Sequence, residues 1–191
     1  MTTALDALRL RLRRMVDDVG TAVWQDADLD TTLHSHRQRI YRDHLQPEIT
    51  YTSGSTFVYK IYRSHFRDYE AYAAGAVDAF QVEDSAGAQR TIGTADANPD
   101  YESGIIQMAT DQKGTALYVS GWSYDLNGAA ADCWQERSGK VSSYYNVNLD
   151  GHGLSRSQWF DHCQAMYEKY AGMSAATIVP QWKTGGGGIW G

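Results

Sequence analysis

The chain has 191 residues, an apolar content of 42% and a formal net charge of −6, so it is long enough for one domain, or for one domain with a sizeable insertion. The acidic balance argues against a nucleic-acid-binding surface of the usual basic kind. No apolar run is long enough to span a bilayer, and arginines interrupt the leucines near the N-terminus, which argues against a membrane span and against a signal peptide.

Two helices are predicted before residue 48. Residues 4–19 form the first, because apolar side chains recur at helical spacing and Gly20 is a natural stop. Residues 27–45 form the second, with Asp26 as its N-cap and Pro47 as its end. The stripe of this second helix consists of Leu29, Leu33, His36, Ile40 and His44. The four arginines of the first helix are expected on the outside or in salt bridges between subunits.

Residues 48–123 have a different character. Apolar and polar side chains alternate in several short runs, and Gly, Ser, Asp and Asn separate these runs. We therefore expect a small antiparallel β domain inserted between helices, with a short helix over residues 67–75. The segment holds five Lys/Arg and ten Asp/Glu, so it carries nearly all of the negative charge.

Residues 125–146 and 156–171 are predicted to be the third and fourth helices, the fourth beginning at a capping box of Ser155 and Gln158. Their facing apolar positions should be buried together, and loss of the Trp159 side chain should cost about 3–5 kcal/mol. These helix-core positions are Cys133, Trp134, Trp159, Cys163 and Met166. The two cysteines are read as small core residues of a reducing cytoplasm, and a disulfide between facing helices remains open.

The last 19 residues, 173–191, are predicted to be an extended arm. They include a run of four glycines, and they favour neither a helix nor burial within this chain. Such an arm typically lies on another subunit, with the two tryptophans as anchors. The candidate contact residues are Ile178, Val179, Pro180, Trp182, Ile189 and Trp190.

The predicted fold class is α+β: a small four-helix bundle with an inserted antiparallel β domain and an extended C-terminal tail. Residues 1–47 supply the N-terminal helices of the bundle, and residues 48–123 supply the β domain. Residues 124–172 supply the C-terminal helices, and residues 173–191 form the arm.

No motif for catalysis, a cofactor or a metal is recognised. His34 and His36 point to different faces of the predicted helix, and His36 and His44 lie two turns apart, so neither pair has a compact ligand spacing. Phosphate-binding loops, dinucleotide fingerprints and nucleophile elbows do not occur. We therefore expect no enzyme, although a catalytic site dispersed along the sequence remains an alternative.

Three features carry a resemblance. Residues 123–134 read Ser-Tyr-Asp-Leu-Asn-Gly-Ala-Ala-Ala-Asp-Cys-Trp, and residues 148–158 combine Asp-Gly with Ser-Arg-Ser-Gln. The order of parts is two helices with an acidic Trp24-x-Asp26-x-Asp28-Leu29 start, a β insertion, two helices and an arm. Together these features resemble the head-to-tail adaptor, or connector, proteins of tailed bacteriophages. The first motif is similar to their strand-to-helix connection, and the second is similar to the turn into their last helix.

The resemblance implies a structural virion protein of the neck, present in the host cytoplasm during assembly. Such adaptors form a ring, usually a dodecamer, under the portal protein and extend the DNA channel towards a stopper, tail terminator or tail tube protein. The arm would reach the portal or a neighbouring copy, and DNA would pass through without specific binding. No cofactor or membrane is implied.

The competing interpretation is a tail or receptor-binding module with an aromatic β domain. The chain has 13 Tyr and 6 Trp, which suit a binding surface as well as a core. The number of copies in the native assembly distinguishes the two interpretations, because a ring of identical subunits favours the adaptor and a trimeric spike favours the receptor-binding module.

Overall fold

The computed structural model describes residues 4–18, 23–52, 56–75, 79–93, 96–142 and 156–174. Over these residues the chain forms four helices and six strands. The helices are α1 Asp6–Met15, α2 Asp26–Ser35, α3 Leu126–Ser142 and α4 Arg156–Met173. The strands are β1 Arg37–Thr52, β2 Thr56–Arg63, β3 Gln81–Asp84, β4 Ala97–Asp100, β5 Ile105–Met108 and β6 Leu117–Tyr124.

The strands form one antiparallel sheet in the order β3-β6-β1-β2-β5-β4. Strand β1 pairs with β6 as far as Leu45 and with β2 from Gln46 onward. Within the half that pairs with β6, the register shifts between Ile40 and Asp43 at a bulge around Arg42, whose φ is 51° and whose N–H donates to Ser120 Oγ at 3.0 Å. A bulge bends its strand and increases the local twist, so β1 can belong to both halves of the sheet.

Residues 88–93 bring the two edges of the sheet together. The Arg90 N–H donates to the Val82 carbonyl of β3 at 2.7 Å, and the Ala97 N–H of β4 donates to the Thr91 carbonyl at 3.0 Å. The sheet is therefore close to a closed barrel. Its interior is filled by the inward side chains of all six strands and the adjoining loops, among them Ile40, Leu45, Tyr62, Tyr69, Phe80, Val82, Ile106, Met108, Leu117 and Val119.

The helices form a second core at one end of the sheet. Helices α1 and α2 run antiparallel, because Arg9 reaches Asp30 and Arg13 reaches Asp26. Helices α3 and α4 also run antiparallel, because Asn127 near the start of α3 meets Met173 at the end of α4. Buried side chains of this core include Leu8, Leu12, Trp24, Leu29, Leu33, Tyr124, Leu126, Ala130, Trp134 and Cys163.

The predicted four-helix bundle with an inserted β domain is wrong. The second helix ends at Ser35 instead of continuing to residue 45, and the chain enters β1 at Arg37. Strand β1 is 16 residues long and pairs with two neighbours, so the sheet is a principal body of the fold. The helical spacing of the apolar residues gave a wrong prediction here, because the pairing of this segment with β6 outweighs its weak helical stripe.

Two smaller predictions were also wrong. Residues 67–75 form loop backbone in place of a helix, and Tyr69 makes a bridge to Ser123 of β6. Helix α1 ends at Met15, short of residue 19. Among the helices that the structure describes, none combines the length and the apolar character that crossing a bilayer requires.

Candidate docking surfaces

The junction between β6 and α3 contains the first motif of the resemblance. The Asp125 carboxylate caps α3, because Oδ1 accepts the N–H groups of Asn127 at 3.1 Å and Gly128 at 3.0 Å. The Ser174 hydroxyl donates to the other carboxylate oxygen of Asp125, and Asn127 Nδ2 donates to the Met173 carbonyl at 3.2 Å. These bonds tie the end of α4 to the start of α3.

An open cleft of about 380 Å³ lies beside this junction and reaches Met173. Its charged wall is already engaged, because Asp68 pairs with Arg11 and Asp125 caps α3. Burial raises the pKa of the Asp68 carboxyl above its ordinary value, although the Arg11 guanidinium opposes the shift. The two acids that line the cleft, Asp68 and Asp125, therefore serve the contacts between elements of the fold.

A second cluster joins a serine, an aspartate and a histidine, but its geometry does not suit nucleophilic catalysis. Ser64 Oγ donates to Asp43 Oδ2 at 2.8 Å, and His65 Nδ1 lies 3.0 Å from Asp43 Oδ1. The distal nitrogen of His65 meets Gln46 at 3.0 Å instead of the serine. A hydrolytic triad needs the histidine between the serine and the acid, so this cluster is better explained as a clasp between β1 and the loop after β2.

Three arginines of α1 form ion pairs within the chain, where we had expected an outside position or salt bridges between subunits. Arg9 Nη2 lies 2.8 Å from Asp30, and Arg13 Nη1 lies 2.9 Å from Asp18. Arg11 pairs with Asp68, which precedes the loop bridge to β6. These ion pairs hold α1 to α2 and to the sheet, whereas Arg14 lies on an exposed position of α1.

The outer face of the sheet carries an apolar stripe. On β1 and β2 the side chains of Ile49 and Phe57 are 48% and 53% exposed. Tyr59, Ile61 and Ile105 share this face and are half-buried. The opposite face of the same strands fills the barrel with Tyr62, Ile106 and Met108. Contiguous exposed apolar side chains of this kind mark interaction surfaces.

The sequence held a signal for this stripe that the prediction did not use. Strand β2 reads Thr-Phe-Val-Tyr-Lys-Ile-Tyr-Arg, with large apolar or aromatic side chains on both faces. One face of such a strand packs in a core. The apolar side chains of its other face are then either covered by another part of the protein or exposed to solvent. Alternation alone does not reveal which, and the pairing register was needed to place Phe57 and Ile61 on the outside.

The predicted helix-core residues lie in one cluster. Cys133, Trp134 and Cys163 are buried, and Trp159 and Met166 are half-buried against them. Both thiols are free. Burial, followed by the charge of Glu136, raises the pKa of Cys133 to about 12, so this thiol stays neutral and unreactive near neutral pH.

The predicted arm contacts lie outside the described residues: Ile178, Val179, Pro180, Trp182, Ile189 and Trp190. The motif loop before α4 is also outside them, up to Ser155. The histidines of the described ranges do not gather with other ligands, since no group of three His, Cys, Asp or Glu there is placed to hold a metal ion. His36 instead meets Asp132 of α3 at 2.7 Å.

The comparisons with known proteins give no family. The sequence matches no protein-family model, and neither a curated protein nor a solved structure is significantly similar to it.

Proposed function

We propose that this chain is a structural protein that assembles into a ring under the portal of a tailed bacteriophage. The ring extends the DNA channel and joins the head to a stopper, a tail terminator or a tail tube protein. The apolar stripe with Ile49 and Phe57, which are about half exposed, supports the assembly part of this proposal, because neighbouring exposed apolar side chains favour a protein partner.

The resemblance to head-to-tail adaptors supports the choice of assembly. In adaptors, the motif at residues 123–134 corresponds to a strand-to-helix connection, and in this chain it spans the end of β6 and the first part of α3. Asp125 of that motif ties α3 to the end of α4. Met173 and Ser174, the first two residues of the proposed arm, therefore lie next to the motif.

Electron microscopy of the full-length chain with portal-bearing heads tests the proposal. We expect added density in the form of a ring at the portal vertex. The double variant Trp182→Ala and Trp190→Ala should lose attachment while keeping the wild-type circular dichroism spectrum, because only the proposed anchors are removed. Heads that bind both proteins equally, or that bind neither, would contradict the proposed role.

A further inference from the structure

Strands β1 and β2 continue beyond the rest of the sheet as a two-stranded ribbon. Strand β1 pairs with β6 only as far as Leu45, and β2 pairs with β5 only from Ile61 to Arg63. We define the ribbon as residues 49–52 of β1 and residues 56–59 of β2, which pair with each other. A two-stranded hairpin is marginally stable at best in water, so the ribbon gains stability when a further strand adds to it.

The main chain of the ribbon is engaged on its β2 side. The Tyr59 N–H donates to Asp111 Oδ1 at 2.9 Å, and the Tyr59 carbonyl accepts from the Gln112 N–H at 3.0 Å. Both groups of Tyr59 therefore face away from β1. In an antiparallel pair, two opposite residues point their main-chain groups either towards each other or away from each other. Ile49 lies opposite Tyr59, so its N–H and C=O face the other edge of the ribbon.

This other edge, along residues 46–52 of β1, is open within the described part of the chain. Strand β2 is the one described strand that pairs with this stretch, and outside that pair no hydrogen bond to the main chain of Ile49 is formed by the described residues. Pro47 also lies here, and proline within sheets is confined to edges because it cannot donate to a ladder. An open edge of this kind binds an extended segment as an added strand.

Apolar side chains lie beside the open edge. Ile49 and Phe57 are each about half exposed, and Tyr59 shares the face of Ile49 because the two residues lie opposite each other. In strand addition the main-chain hydrogen bonds supply affinity, and the neighbouring side chains select the segment that binds. The ribbon therefore favours an extended segment with apolar, β-branched side chains.

The chain contains such a segment outside the described residues. Residues 177–180 read Thr-Ile-Val-Pro, and the arm that contains them, residues 173–191, has one lysine and no acid. Thr, Ile and Val favour strands, and a proline is tolerated there because an added strand has a free edge of its own. Trp182 and Trp190 lie beyond this segment, so they stay available for the portal.

The reach of the chain favours the ribbon of another copy. The Ser174 hydroxyl donates to Asp125, whose N–H donates to the His36 carbonyl, so Ser174 lies beside the beginning of β1. Ile49 is about 40 Å from that end along a straight strand, and about 28 Å from it even if β1 turned through a right angle at the bulge. Residue 179 reaches at most about 17 Å from Ser174, which is too short for the ribbon of the same chain.

We propose that residues 177–180 of one copy add a strand to the open β1 edge of the ribbon of the next copy. This inference rests on the proposed function, in which identical copies form a ring. An arm that extends from each copy to the next produces head-to-tail contacts, and such contacts close into a ring when the rotation permits.

Cysteine cross-linking of the full-length chain tests the contact. Chains with Ile49→Cys are co-expressed with chains that carry Val179→Cys, and the purified assembly is oxidised. We expect a disulfide-linked pair of chains on a non-reducing gel. In the matched control, Tyr41→Cys on an exposed position of the same strand replaces Ile49→Cys and should give no pair. The wild-type chain should give none either, because both native thiols are buried.

Native mass spectrometry measures the effect of the contact on assembly. Ile178→Asp with Val179→Asp should reduce the ring to the subunit mass, because the added strand would then place two charges beside apolar side chains. Gly185→Asp with Gly186→Asp makes the same change in charge elsewhere in the arm and should keep the ring. Both variants should keep the wild-type circular dichroism spectrum, because the substitutions lie outside the folded core.

Several results would overturn the inference. If the wild-type chain forms the ring but the cross-linked pair is absent, or the ring persists in the Ile178 and Val179 variant, the inference fails and the proposed function survives. If the wild-type chain never exceeds the subunit mass, both fail. A disulfide within one chain that carries both cysteines would place the arm on its own ribbon. Linked pairs from Ile49→Cys chains alone would show instead that two ribbons pair with each other.

Discussion

Trp134 and Trp159 lie on facing helices of the same core, and their surroundings predict different contributions to stability. Trp134 is 1% exposed, and its indole N–H donates to the Met15 carbonyl at 3.2 Å. Trp159 is half-buried, with Arg137 over its ring and His162 stacked on it. We now expect Trp134→Ala to cost about 3–5 kcal/mol of unfolding free energy and Trp159→Ala roughly 1–2. Urea unfolding of both variants measures the two losses of unfolding free energy. Equal losses would contradict the expectation that Trp134 contributes more than Trp159.

The thiol of Cys133 predicts a loss of stability at alkaline pH. Its pKa is about 12 in the folded chain against an ordinary 9.0, so folding favours the neutral thiol. The associated stability is fully present below pH 9, and it is lost as the pH rises from about 9 towards about 12. Cys133→Ala should therefore flatten the alkaline limb of a plot of unfolding free energy against pH, measured in reducing buffer. An unchanged limb would show that the thiol does not contribute.

At the scale of elements, helix α3 contains two glycines whose replacement by alanine should have opposite effects on stability. A Cβ at Gly128 would lie 2.6 Å from His36 Nδ1 and 2.9 Å from the Asp125 carboxylate, whereas a Cβ at Gly139 would meet nothing within 4 Å. Gly128→Ala should destabilise the chain by about 1–3 kcal/mol. Gly139→Ala should stabilise it by about 0.5–1 kcal/mol through helix propensity. Thermal unfolding decides, and stabilisation by both changes would show that His36 does not pack against this turn.

Elements could be predicted from the sequence where a local signal was strong. Helices α3 and α4 were expected because long apolar stripes define them. Strand β1 was missed because Leu33, Ile40 and His44 fit a helical stripe, while the residues that make it a strand belong to β6. The spacing of five between Ile40 and Leu45 fits neither period, and only the bulge at Arg42 lets both side chains enter the barrel.

For the whole molecule, the ion pairs of α1 affect the charge that the proposed ring would present to DNA. Arg9, Arg11 and Arg13 are neutralised by acids of the same chain, and the net charge is −6. Duplex DNA carries about one negative charge per 1.7 Å of axis, so a ring of such acidic subunits should repel it. A gel shift of the assembled protein at low salt should show no tight complex. Salt-sensitive retention of duplex DNA would instead indicate a clamp.

The whole-molecule architecture was the least predictable level. Each core consists of contacts between residues distant in sequence, as in the approach of Trp134 to Met15. The shared face of Arg37, Arg39 and Arg42, which lie over rings of β6, was not predicted either. Residues 37–44 were assigned to a helix, where these side chains would point in different directions. Their shared face depends on strand pairing and a bulge, which the composition does not indicate.

The central claim is that this chain is a ring subunit, and its native mass tests that most directly. Native mass spectrometry of the full-length protein over a range of concentrations should give a single closed assembly of many copies of the 21.3 kDa chain. A trimer would favour the receptor-binding alternative. A mass of one subunit at every concentration would contradict the account.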